Sequence, residues 1–360
     1  MTPLDGHRPL RIAMLAPPWI PVPAPGYGGI EEVVRLLCDG LSVHGHEVTL
    51  YAPPGSSSRA SVVTLLDETH PDDIQIAQFE ADHVARAFGA IDAAAEQGAP
   101  FDVIHDHVGH TALAMADRVG APLVHTLHGP FTDDARRFYA EHGAKACIVA
   151  ISQAQLDDAP PEMGGGRVVH NPIDCAEWPY REDKDDFLLW IGRMSPDKGP
   201  QRAIAAAREA GAPLVLAGPV QPGQEAFFAQ EVEPQLGRDG IEYVGEADAT
   251  RKRELYQRAR ALLMPIRWPE PFGLVMVEAL ACGTPVIAFT EGSAPEIVED
   301  GRTGFVVDDE HAMARAVERL DAIDPAACRA ACEERFGLAA VVEGYEGAYR
   351  AAMDARTARV

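Results

Sequence analysis

The sequence predicts an α/β protein of two doubly wound, parallel-sheet domains in series, and three observations carry that expectation. Short apolar runs of strand length alternate with segments of helical periodicity along almost the whole chain. The alternation breaks at 164–184, a stretch rich in Gly, Pro and charge, and then restarts. The chain has 360 residues, 47% hydrophobic and 24% charged, which is ordinary globular composition and enough for two separate cores.

In the first half the opening apolar run, 10–15, is read as a strand rather than a signal peptide, because prolines end it early and no small-residue cleavage site follows. A loop of Pro and Gly (PPWIPVPAPGYGG) leads to a helix over 30–43, apolar at 30, 33, 34, 37 and 41, which Gly45 stops. Further strands are expected at 47–52, 103–105, 123–127 and 147–151, and further helices at 84–95, 112–118 and 135–142. In the second half strands are expected at 187–191, 214–217, 241–244, 261–265, 285–288 and 304–307. Helices are expected at 199–210, 224–236, 249–259 and 272–282, followed by helices rich in Ala and Glu. Strands apolar on both faces belong to parallel sheets covered by helices. Such sheets bind ligands beyond the carboxyl ends of their strands, so a cleft between the two domains is the expected site.

The formal charge of −24 opposes nucleic acid and anionic lipid, so an anionic ligand needs a local cluster of donors. No apolar run reaches the roughly 18 residues of a transmembrane helix. The six cysteines, at 38, 147, 175, 282, 328 and 332, form no CxxC pair and suit a reduced, cytoplasmic protein. Cys328 and Cys332 are one helical turn apart, but no His partner has metal-site spacing nearby.

Two groups of residues stand at expected strand ends. After 187–191 come Gly192, Arg193 and, at a helix start, Lys198 (WIGRMSPDKG), a set suited to a diphosphate. After 261–265 comes EPFGLVMVE, in which Pro269 and Pro271 hold Glu270 in an extended loop and Gly273 precedes a helix carrying Glu278. The N–H groups around Phe272, Gly273 and Leu274 can hold oxygens of a ligand, and carboxylates suit neighbouring hydroxyls. Glu278 lies among Val275, Met276, Val277, Ala279 and Leu280, where an unpaired charge is costly, so it requires a partner. His128 ends an apolar strand before Gly129-Pro130 and is expected to be exposed at the sheet's mouth. His105 and His107 flank Asp106 and suggest a metal site only weakly. Trp19 and Tyr27 flank the glycine loop and suit either an acceptor pocket or loop anchoring.

The carboxylate pair with seven residues between them resembles the EX7E motif of glycosyltransferase family 4. The likeness extends to WPEPFGLVMVEALACGTPVIA, GSAPEIVEDGRTGFVV, GRMSPDKG, YGGIEEVVRLL, HGHEVTLYA, FDVIHDH, HTLHGP, VAISQAQ and HNPID, in the family's order and over nearly the whole chain. The resemblance implies a GT-B fold: an acceptor-side domain over 1–172, a nucleotide-sugar domain over 173–338, and a helix over 339–360 crossing back to the first domain. It implies a retaining, metal-independent hexosyltransferase acting by front-face attack, with no cofactor beyond the nucleotide-sugar co-substrate. Arg193 and Lys198 would hold the donor diphosphate, Glu278 the ribose and Glu270 the transferred sugar. His128 would sit near the reacting carbon, Gly28 and Gly29 would let the N-terminal loop close over the phosphates, and backbone near Gly192, Val244, Phe272, Gly273 and Leu274 would complete the donor site. A UDP-sugar is the expected donor, UDP-glucose first, with a GDP-sugar as the alternative, and a small molecule or glycan the acceptor. The longer motif context resembles bacterial members that glucosylate small molecules. A monomer or homodimer is expected.

Three rival readings remain at this stage, one of them a sugar-binding or scaffolding protein that has lost catalysis, against which the intact Arg193, Lys198, Glu270 and Glu278 argue. A nucleotide-sugar epimerase of the same fold would turn over its substrate without an acceptor. A dinucleotide-dependent oxidoreductase would show GxGxxG after the first strand, which this sequence does not.

Overall fold

Strands such as Ala261–Met264 and Val286–Phe289 are buried at every residue, which is why they read as continuous apolar runs rather than alternating ones. The computed structural model describes residues 8–26, 28–74 and 76–357, and among them thirteen strands form two sheets, both parallel throughout. The first sheet holds β1 (Arg11–Leu15), β2 (Glu47–Tyr51), β3 (Ser61–Val63), β4 (Val103–Asp106), β5 (Leu123–Thr126), β6 (Cys147–Ala150) and β7 (Arg167–Val168), in the order β3-β2-β1-β4-β5-β6-β7. The second holds β8 (Leu188–Ile191), β9 (Leu214–Ala217), β10 (Ile241–Tyr243), β11 (Ala261–Met264), β12 (Val286–Phe289) and β13 (Gly304–Val307), in the order β10-β9-β8-β11-β12-β13. Strand order therefore reverses between β1 and β4 and between β8 and β11. Loops leaving the carboxyl ends diverge at such switch points and open a crevice for a ligand.

The chain divides into two compact units, Ile173–Gly337 and the remainder. The C-terminal helix, Leu338–Thr357, belongs to the first unit. It buries Val341, Val342, Tyr345, Ala348, Tyr349 and Ala352 at three- and four-residue spacing, in one cluster with Ile12 and Met14 of β1 and with Leu37 and Leu41 of the helix Gly29–Val43. Among the described residues no helix is long and apolar enough to cross a membrane.

Several expected elements differ. β3 and β7 were not anticipated; they are edge strands of three and two residues, too short for a periodic signal. The single helix expected at 224–236 is an α-turn at Glu225–Phe227, a π-turn at Phe228–Val232 and a 3₁₀ turn at Glu233–Gln235. Pro234 explains the break, since it lacks an N–H and its ring crowds the carbonyl one turn back. The helix expected at 112–118 is a short one, His110–Ala114, followed by a 3₁₀ turn, Ala116–Arg118. The helix expected from 272 starts at Leu274, because Gly273 sits in the left-handed region with φ 81°.

Candidate active site

In the second unit the switch point collects both sequence-marked groups. β8 delivers Gly192, whose N–H donates to Ala217 O at 3.0 Å. Beside it Gly218, after β9, has φ 140° and donates to Gly245 O at 2.8 Å. A Cβ on Gly218 would lie 1.8 Å from Gly192 O, so the strand ends approach here closer than any side chain permits. Gly218→Ala is expected to destabilise the protein by about 3 kcal/mol or more, from overpacking plus a strained φ. A urea unfolding midpoint read at constant slope measures this, and a loss below about 1 kcal/mol would contradict the close approach.

Lys198 ends the loop after β8, and Trp190 Nε1 anchors it by donating to Lys198 O at 3.1 Å. The Lys198 ammonium is ion-paired with the Glu270 carboxylate and stands 4.5 Å from the centre of the Trp268 ring. The Glu270 loop is fixed from behind: Ser293 N donates to Glu270 O at 3.0 Å, and Ser293 Oγ to Phe272 O at 2.6 Å. Arg193 is held loosely, at 3.3 Å from Gln221 Oε1 and 3.9 Å from Asp197, with its side chain 41% exposed. A diphosphate arriving here would meet one loosely bonded guanidinium and one ammonium already engaged by a carboxylate.

The helix Leu274–Ala281 follows β11 of a parallel sheet, so its N-terminus lies at the carboxyl ends of the strands, and it has no side-chain cap. Phe272 itself is core, 2% exposed and edge-on to Phe336 at 5.8 Å between ring centres, so only its backbone remains a candidate. Val244 N donates to Leu216 O at 3.0 Å, so a ligand contact in this stretch would fall to the other backbone atoms of 244–246.

Glu278 has the partner its apolar setting demanded, and the sequence reading missed it. Lys252, from the helix Ala249–Arg258, donates to Glu278 Oε1 at 2.6 Å. Glu278 Oε2 is buried without a partner.

In the first unit Gly28 caps the helix Gly29–Val43, and Gly29 is its first residue. A Cβ on Gly28 would lie 2.4 Å from Ala24 Cβ and 2.8 Å from Glu31 Oε2, so the loop folds tightly on the helix start. Glu31, which drew no attention in the sequence, is buried there, and burial raises its carboxyl pKa. Trp19 is 8% exposed and serves as a loop anchor; Tyr27 lies outside the described residues.

His128, expected to be exposed, is half-buried at the end of β5, with its Nε2 hydrogen-bonded to His107 Nδ1 at 2.8 Å. Burial first, and His125 second, push its pKa down to about 3, so it is a neutral hydrogen-bonding group at neutral pH. His105 is clamped between Thr126 Oγ1 and Tyr349 Oη at 2.8 Å each, and His125 between Asp106 Oδ2 at 2.6 Å and Tyr139 Oη at 3.0 Å. Among the described residues no group of three or more His, Cys, Asp or Glu side chains is placed to hold a metal ion.

Comparison with known proteins follows the same division. The family described as Glycosyltransferase Family 4 matches residues 27–177, and that described as Glycosyl transferases group 1 matches 177–331. The alpha-maltose-1-phosphate synthase of Mycolicibacterium smegmatis is 30% identical over 69% of this chain and 78% of its own. The D-inositol 3-phosphate glycosyltransferase of Acidothermus cellulolyticus is 28% identical over 97% of this chain and 92% of its own. The glycogen synthase of Mycobacterium tuberculosis is 30% identical over 56% of this chain, which spans only 55% of that relative's length. Among solved structures, AviGT4, a glycosyltransferase of avilamycin A biosynthesis, superposes with TM-score 0.73 at 28% identity, over 96% of this chain and 99% of its own. HepE from Anabaena, solved with UDP-glucose, superposes with TM-score 0.68 at 20% identity over 94% and 99%. Two Rossmann-like parallel-sheet units with these neighbours define the GT-B class. The chain belongs to glycosyltransferase family 4.

Proposed function

We propose that this chain transfers a hexose from a nucleotide-sugar, a UDP-sugar and UDP-glucose first, to a small-molecule or glycan hydroxyl with retention of anomeric configuration. The observation that carries the proposal is the Lys198–Glu270 pair beside Arg193 at the β8/β11 switch point. On this reading the donor diphosphate takes over Lys198 and collects Arg193, and the displaced Glu270 carboxylate turns to hydroxyls of the sugar. Glu278 receives ribose hydroxyls, and the N–H groups at Gly273 and Leu274 hold donor oxygens. In the first unit, Gly28 and Gly29 let the loop approach the phosphates, and neutral His128 hydrogen-bonds the sugar without adding charge.

The acceptor oxygen forms the new bond to the anomeric carbon on the face the diphosphate leaves. The breaking C–O bond sends its electron pair to the diphosphate, and the acceptor proton passes to a phosphate oxygen. The fixed charges of Arg193 and Lys198 stabilise the departing anion, which assigns no step to a metal. No carboxylate nucleophile is required, in contrast to two-carboxylate hydrolysis. The free thiols, five of the six buried, suit a reducing cytoplasmic compartment.

The expected result of thermal unfolding in EDTA is stabilisation by UDP, about 2.7 kcal/mol at a hundred times its dissociation constant. GDP is expected to act more weakly and ADP least. Interconversion of free nucleotide-sugars without acceptor would favour an epimerase, and no shift with any nucleotide would defeat the proposal.

A further inference from the structure

Three consecutive cations, Arg251, Lys252 and Arg253, lie on the helix Ala249–Arg258, and successive residues of a helix point about 100° apart. Arg251 turns to Glu254 at 2.7 Å and Arg253 to Glu177 at 3.2 Å. Lys252 turns inward to Glu278, which is 9% exposed and surrounded on its own helix by Met276, Val277, Ala279 and Leu280, all fully buried. An ionised carboxylate in such a place needs a countercharge and hydrogen bonds to both oxygens. Lys252 satisfies Oε1 at 2.6 Å, while Oε2 is buried with no partner. The unsatisfied oxygen belongs to the carboxylate at the donor's place in the sheet, on the helix whose uncapped start faces the same mouth.

We infer that Lys252 is a positioning residue for the donor's ribose: it pins one Glu278 oxygen and supplies the countercharge, leaving the second oxygen aimed at a ribose hydroxyl. This inference rests on the nucleotide-sugar reading above. In a purely structural ion pair the second buried carboxylate oxygen ordinarily finds a partner within the protein as well. The indole of Trp178, 5.6 Å from Lys252 Nζ, limits where the ammonium can go and so fixes the carboxylate it holds.

The test is calorimetric titration of the native protein, Lys252→Met, Lys252→Arg and Glu278→Gln with UDP, 2′-deoxy-UDP and 3′-deoxy-UDP, or with the guanosine series if only GDP binds. The native protein is expected to prefer the ribonucleotide over at least one deoxy form about tenfold or more, the size of a charged hydrogen bond. Lys252→Met is expected to lose about tenfold for the ribonucleotide and little for that deoxy form, so the preference collapses. Lys252→Arg is expected to keep part of it. An equal loss for all three ligands, or none, overturns the inference, because a remote charge or a structural pair does not read a single hydroxyl. A native protein that binds no nucleotide defeats the donor reading itself, a distinct result. If Lys252→Met does not fold, Lys252→Met/Glu278→Gln is compared with Glu278→Gln alone. Any further loss of ribose preference on adding the lysine change overturns the inference, and unchanged preference upholds it.

Discussion

Replacing Lys198 by alanine is expected to lower kcat/KM for sugar transfer by about 10²–10³-fold, the loss seen when one fixed donor to a developing anion is removed. The same change is expected to destabilise the unliganded protein by about 1–3 kcal/mol, because it strands the Glu270 carboxylate, whose side chain is only 13% exposed. The two effects separate. Lys198→Ala/Glu270→Gln removes both charges and is expected to recover the stability while leaving transfer at the lower rate. Arg193→Ala, at a side chain 41% exposed and loosely bonded, is expected to slow transfer without measurable loss of stability. Initial rates of UDP release from UDP-glucose, with an acceptor that supports turnover, and urea midpoints on the same preparations measure both quantities. A Lys198→Ala rate within about twofold of native would remove Lys198 from the diphosphate site, since a single charge-assisted hydrogen bond is worth more than that.

The parts of this molecule written in short-range pattern were legible, and the parts made by long-range pairing were not. The interior strands read correctly because β11 and β12 are buried at every residue and leave an unbroken apolar trace. β3 and β7 left none, being edge strands of two or three residues. Glu270 and Glu278 were recognisable by spacing within one segment, and the apolar residues around Glu278 demanded a partner. That partner, Lys252, is 26 residues away on another helix, and three adjacent cations there gave the sequence no means of choosing among them. Glu270 and Lys198 are 72 residues apart, so both were marked as site residues without any sign that they hold each other. Ser293, which fixes the Glu270 loop through two bonds to backbone, stood inside a segment matched to the family but was given no task. His128 misled in exposure because its position at a strand end was visible, whereas the His107 ring beside it was not.

The histidines of the first unit carry the second large expectation, a loss of stability on mild acidification. His105, on β4, is buried against Thr126 of β5 and Tyr345 and Tyr349 of the C-terminal helix, and His107, just beyond β4, is buried against the His105 and His128 rings. Burial first, and neighbouring histidines second, hold both pKa values well below the ordinary histidine value, and His128 is pushed down to about 3. In the unfolded chain the same groups titrate near about 6.5. Between about pH 6.5 and about pH 3 the unfolded state therefore binds protons that the folded state refuses, so stability rises with pH across this window and falls as the solution is acidified through it. One pH unit below the unfolded value, each such group costs about 1.4 kcal/mol, and the three together about 4 kcal/mol, a large share of the roughly 5–15 kcal/mol typical of a folded protein. Stability read from urea midpoints at pH 7.5, 6.5 and 5.5 is expected to fall by about 1 kcal/mol over the first step and by about 3 kcal/mol over the second. His128→Asn removes one of the three refusing groups from the half-buried end of the cluster, and the drop between pH 6.5 and 5.5 is expected to shrink by about a third. A midpoint that stays constant down to pH 5.5 would mean that these rings accept protons in the folded state. The neutral His128 assigned to the sugar site would then be a cation, suited to phosphate rather than to a hydroxyl.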